Sequence, residues 1–99
     1  MIVRLVKLTI EPGKLTQFLD NFELVKTRIR SFTGCTHLEL LQDKDQKGVL
    51  FTYSLWDKQS SLDDYLSSEL FIATWKQVKP LFSAKAQAWS LIKADEVSV

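Results

Sequence analysis

Apolar residues recur along this chain in two rhythms, and the points where the rhythm changes divide it into elements. "IVRLVKLTI", residues 2–10, is rich in Val, Ile, Leu and Thr and runs into Pro12-Gly13. It predicts a strand stopped by a turn. In "KLTQFLDNFELVKTRIRSF" the spacing lengthens to three and four. Leu15, Phe18, Leu19, Phe22, Val25, Ile29 and Phe32 share one face, with Gln17, Asp20, Asn21, Lys26, Thr27 and Arg30 on the other. This predicts an amphipathic helix that Thr33-Gly34 ends, with Gly34 as a left-handed cap.

"CTHLELLQD" alternates with a period of two and predicts a second strand. "KDQKG" supplies a polar turn with Gly48, and "VLFTYSLW" a third strand of branched and aromatic residues. Beyond Asp57, Ser60 followed by Asp63 predicts a helix start, with Asp63 and Asp64 near the positive end of its dipole. Ser68 caps a second helical segment, whose stripe is Phe71, Trp75, Val78 and Phe82, and Pro80 ends it. "AKAQAWSLI" is the last strand, and residues 93–99 form a polar tail. The order β-α-β-β-α-β predicts an α+β, ferredoxin-like fold: one four-stranded antiparallel sheet with the helices on one face. A single domain over residues 1–99, with its core in 2–92, is expected.

Helices on one side leave the other side of the sheet bare, and a wetted face should read polar. It does not. The first strand carries Ile2, Val6, Leu8 and Ile10 on its even positions, yet Val3 and Leu5 on its odd ones. The third carries Phe51, Tyr53 and Leu55 on odd positions, and Leu50 and Trp56 on even ones. In the fourth, Trp89 and Leu91 oppose small residues. A monomer rarely exposes so large an apolar surface. The expected solution is a homodimer packed sheet against sheet about a two-fold axis.

Composition narrows the function classes. Net charge is +1 and the basic residues are dispersed among acidic ones, which argues against nucleic acid as a partner. The first strand carries Arg4 and Lys7 within its apolar run, so it is neither a signal core nor a membrane span. One cysteine, Cys35, and one histidine, His37, make neither a disulfide nor a metal-ligand set, so no metal is expected. A cytoplasmic location follows as an expectation.

The turn "EPGK", the stretches "FTGCTHLELLQD" and "FTYSLWDKQSSLDDYLSSELF", and the closing "KPLF" together resemble the antibiotic biosynthesis monooxygenase family across residues 1–92. The resemblance implies a dimeric α/β barrel with a ligand pocket between each chain's sheet and its helices. It also implies cofactor-independent oxygenation of a small phenol or hydroquinone to a quinone, in which the substrate supplies the electrons and the protein a dry pocket. Its pocket would be lined by Val6, Phe22, Trp56, Phe71 and Trp75. The haem-degrading branch places an asparagine, a tryptophan and a histidine where this chain has Val6, Tyr65 and Trp75. Val6 cannot hydrogen-bond and Trp75 cannot ligate iron, which argues against haem degradation.

Tyr65 and His37 are the candidate catalytic residues. Tyr65 can orient a phenol or relay a proton, or it can be a boundary tyrosine with a buried ring. His37 alone has an ordinary pKa suited to base chemistry near neutrality, but it also reads as a strand histidine at a dimer interface. Trp56, Phe71 and Trp75 read as core or as pocket wall. Arg4 and Lys7 can pair with an anionic ligand, although strand charges are commonly solvated. The second reading of the whole is a non-catalytic dimeric barrel that binds a small apolar ligand or a partner.

Overall fold

The computed structural model describes residues 1–99. Strand β1 (Ile2–Thr9) leads into helix α1 (Leu15–Arg30), then strands β2 (Cys35–Gln42) and β3 (Val49–Trp56). Helices α2 (Gln59–Leu66) and α3 (Glu69–Val78) follow, and a 3-10 turn over Lys79–Leu81 connects to strand β4 (Gln87–Leu91). The sheet order is β2-β3-β1-β4 with every neighbouring pair antiparallel, the ferredoxin-like βαββαβ arrangement. No helix is long and apolar enough to cross a membrane.

Several boundaries differ from expectation for local reasons. Helix α1 stops at Arg30, where Ser31 caps it, so Gly34 is not its cap. Gly34 does have φ +90°, and it uses that left-handed conformation in the turn into β2. Helix α2 begins one residue before Ser60, with Lys58 at its cap position and no side-chain cap, which leaves Asp63 and Asp64 beyond its first turn. Ser68 behaves as expected. Its Oγ accepts from the Phe71 amide at 3.1 Å and donates to the Tyr65 carbonyl at 2.6 Å, breaking the helical run in two. Pro80 lies in the 3-10 turn, where its missing amide is tolerated. Strand β4 starts only at Gln87.

A β-bulge between Cys35 and His37 resets β2. Cys35 pairs with Trp56 and turns inward, whereas His37 pairs with Leu55. The two residues therefore do not share a face, as simple alternation from Cys35 would have it. Below the bulge, Leu38 and Leu40 face the helices, and His37, Glu39 and Leu41 face away.

The buried interior is divided. Leu8, Ile10, Phe18, Leu50, Val78 and Leu81 form one cluster, and Cys35, Trp56 and Leu62 another. Only 12 of the 99 residues are buried, because space remains between the clusters and because the odd positions of the sheet carry nothing over them. On that outer face Leu41, Trp89 and Leu91 are 40–45% exposed.

Candidate functional site

The space between the two clusters is a cavity of about 230 Å³, partly open to solvent, and 16 of its 21 lining residues are hydrophobic. A cavity of about 150 Å³ suffices for benzene, so this one has room for more than a single ring. Its floor is the even side of the sheet, including Val6, Leu8, Thr52, Ser54 and Ala88. Its roof is the inner faces of α1, α2 and α3.

Six aromatic rings form a continuous ladder of contacts. Trp56 and Tyr65 stack with centroids 5.0 Å apart, and Phe32 meets both edge-on at 6.3 and 5.4 Å. Tyr65 meets Phe71 edge-on at 5.3 Å. Phe71 stacks on Trp75 at 5.7 Å, and Trp75 meets Phe82 edge-on at 5.4 Å. The spacing explains the ladder. Phe71 and Trp75 are four apart on α3, and Tyr65 is the penultimate residue of α2, shortly before the start of α3. The rings therefore touch one another, and four of them, Trp56, Tyr65, Phe71 and Trp75, also border the void. Trp56, at 1% exposure, is anchored by its indole N–H, which donates to Ser54 Oγ at 3.0 Å.

Five of the lining residues are polar: Arg4, Asn21, Thr52, Ser54 and Thr74. Asn21 stands out, because its Oδ1 is buried without a hydrogen-bond partner. Buried polar atoms are nearly always paired, and an unpaired one costs about 1–3 kcal/mol. The helical wheel assigned Asn21 to the solvent side of α1, which is wrong. Asn21 lies three residues after Phe18 and four before Val25, in the middle of the apolar stripe. Leu19, placed on that stripe, is 38% exposed. The spacing carried the signal, and the residue's polarity hid it.

Burial pushes the Tyr65 phenol well above its ordinary pKa, with a smaller contribution from the neighbouring Cys35, so Tyr65 is a neutral hydrogen-bond donor. Burial also raises Cys35, outweighing the stabilising effect of the His37 backbone and of Arg30. Among the candidate residues, Val6, Phe22, Trp56, Tyr65, Phe71 and Trp75 all border this one cavity. His37 does not. It lies across the sheet, its Nε2 3.1 Å from Glu39 Oε1 and its ring 5.9 Å from Tyr53. The structure does not bring Tyr65 and His37 together within one chain. No cluster of His, Cys, Asp and Glu is arranged to hold a metal ion.

Solved structures share this fold over nearly their whole length. An antibiotic biosynthesis monooxygenase superposes with a TM-score of 0.90 at 15% identity, over 96% of this chain and 100% of its own. The Mycobacterium tuberculosis protein Rv0793 does so with a TM-score of 0.88 at 20% identity, over 98% of each chain. A conserved protein from Methanosarcina mazei gives a TM-score of 0.87 at 18% identity, over 94% of this chain and 93% of its own. No curated protein sequence matches. The family model described as antibiotic biosynthesis monooxygenase matches residues 1–77, most of the chain, and by that match the protein belongs to the antibiotic biosynthesis monooxygenase family.

Proposed function

We propose that this protein is a homodimeric, cofactor-independent monooxygenase that oxidises a small phenol or hydroquinone to a quinone in the cavity between sheet and helices. The observation that carries the reading is an apolar, ring-walled cavity lined by Asn21, whose side-chain oxygen is buried without a hydrogen-bond partner. A flat substrate would lie along the Trp56–Tyr65–Phe71–Trp75 wall. Its hydroxyl would donate to Asn21 Oδ1, supplying the missing partner.

The chemistry needs no electron donor beyond the substrate. The phenol loses its proton to water at the open side of the cavity, and the electron-rich phenolate reduces O₂ at the ring carbon para to the oxygen. A C–O bond forms, giving a peroxide that takes up a proton. Loss of the ring C–H proton then breaks the O–O bond. One oxygen stays as the new carbonyl and the other leaves as water, so a phenol and O₂ yield a quinone and water. Tyr65, held protonated, would donate a hydrogen bond to the developing oxyanion. The apolar walls would keep water from the peroxide. His37 has no step here, since the sheet separates it from the cavity.

One observation favours the alternative of a non-catalytic barrel that binds a small aromatic ligand. No carboxylate, histidine or lysine lines the cavity, so no side chain there is placed to take the substrate proton. Oxygen consumption by the purified protein with a panel of naphthols and hydroquinones, without added metal or flavin, separates the two. Uptake above the uncatalysed rate that falls about tenfold or more in Tyr65→Phe supports catalysis. Saturable ligand binding with no uptake across the panel leaves the binding role.

A further inference from the structure

The cavity holds one charge and no counter-charge. Arg4 is its only charged lining residue, and Arg4 takes part in no ion pair. The Arg4 Nη1 donates to Ser90 Oγ at 2.9 Å, across the ladder in which Arg4 stands opposite Ser90 on β4. On β3 it stands opposite Ser54, another neutral residue. A guanidinium carries five N–H donors, so one bond to a hydroxyl leaves most of the fork unused. Arg4 is half-buried, at the solvent side of the cavity lining, and that partial burial pushes its pKa down. Lys7, the other charge on β1, has odd parity and belongs to the opposite face.

We propose that the occupant of the cavity is a flat aromatic acid, whose carboxylate docks on the Arg4 guanidinium beside the Ser90 hydroxyl while its ring lies against the aromatic wall. This rests on the aromatic-ligand reading above and adds a charge to it. A carboxylate is the group that fits, for two reasons. It matches the guanidinium fork with two parallel N–H···O bonds. It is also ionised at neutral pH, whereas a phenol is ionised only near pH 10. The cavity volume of about 230 Å³ suits a one- or two-ring acid. The proposal also gives the site a direction, with the anion at the β1–β4 side of the floor and a ring hydroxyl reaching Asn21 on α1.

Calorimetric titration of the full-length protein with three matched probes tests this: 6-hydroxy-2-naphthoate, the neutral 6-hydroxy-2-naphthamide, and 2-naphthol. The expected result is that the acid binds at least about tenfold more tightly than either neutral probe, as a charge-assisted bidentate contact implies. In Arg4→Gln that ratio should collapse toward one. Arg4→Lys should keep part of it, and Lys7→Gln, on the other face, should keep all of it. Equal affinities in the unsubstituted protein overturn the proposal, as does a preference that survives Arg4→Gln, or a failure of all three probes to bind. Oxygen uptake is read separately. A preference for the acid without uptake keeps the Arg4 assignment and retires oxygenation, whereas uptake with no preference does the reverse.

Discussion

The indole of Trp56 stacks on the phenol of Tyr65, with ring centroids 5.0 Å apart and planes 26° from parallel. The pair joins the end of β3 to α2, and both rings line the cavity. Trp56 is 1% exposed and its N–H is satisfied by Ser54 Oγ. Trp56→Ala should therefore destabilise the protein by about 3–5 kcal/mol, through lost burial and the space left behind. Ser54→Ala should cost less, about 1–3 kcal/mol, by leaving the indole N–H unpaired. Urea denaturation midpoints for the two variants check the order.

Tyr65 also predicts a pH dependence. Its folded pKa is raised above the unfolded value of about 10. In the alkaline range the unfolded chain therefore loses the phenolic proton first. The stabilisation is fully present below about pH 10 and is lost as pH rises from there toward the folded value. Stability followed between pH 8 and 11 should fall less steeply in Tyr65→Phe than in the unsubstituted protein. Parallel curves would contradict a buried, neutral phenol.

Asn21 should show a conflict between stability and binding. Its Oδ1 is buried without a hydrogen-bond partner. Asn21→Leu removes that unpaired group and adds apolar contact on a stripe that is otherwise hydrophobic. The variant should gain about 1 kcal/mol of stability and lose most affinity for hydroxylated naphthalenes. Thermal unfolding and calorimetry on the same samples check both halves.

The two glycines with positive φ should respond differently to alanine. Gly34, at φ +90°, has no room: an added Cβ would lie 2.4 Å from the Ser61 side chain and 2.7 Å from Asp57 Oδ1. Gly13, at φ +89°, opens onto free space. Gly13→Ala should cost about 1 kcal/mol from backbone conformation alone. Gly34→Ala should exceed it by about 1–3 kcal/mol, because α2 must shift away from the turn. Equal losses would show that α2 adjusts freely.

The proposed dimer places Leu5 at the centre of the bare face, opposite Tyr53 on β3 and Trp89 on β4. Leu5→Glu buries a charge if two sheets meet there, and exposes one to water if they do not. Sedimentation equilibrium should show a dimer for the unsubstituted protein and a monomer with unchanged circular dichroism for Leu5→Glu. A monomer in both cases removes the sheet-to-sheet assembly.

Much of this protein could be read from its sequence, because the features concerned are local. The turn-bounded runs of branched and aromatic residues mark β1 and β3, the three-and-four spacing of Phe18, Phe22, Val25 and Ile29 marks α1, and Ser68 marks the break between α2 and α3 through one side-chain hydrogen bond. The even positions that Val6 and Trp56 share follow from alternation alone. What the sequence could not supply is whatever depends on how elements meet. Whether the aromatic stripe fills its space or walls a void is set by the distance between two buried clusters, which no periodicity encodes. The bulge that turns Cys35 inward and leaves His37 outside is a register shift between β2 and β3, invisible in either strand by itself. Asn21 and Arg4 looked like ordinary polar residues on a helix and a strand. Only the packing of three helices over one face of the sheet buried the Asn21 oxygen and partly screened Arg4, since desolvation is a property of the assembled neighbourhood and not of the residue.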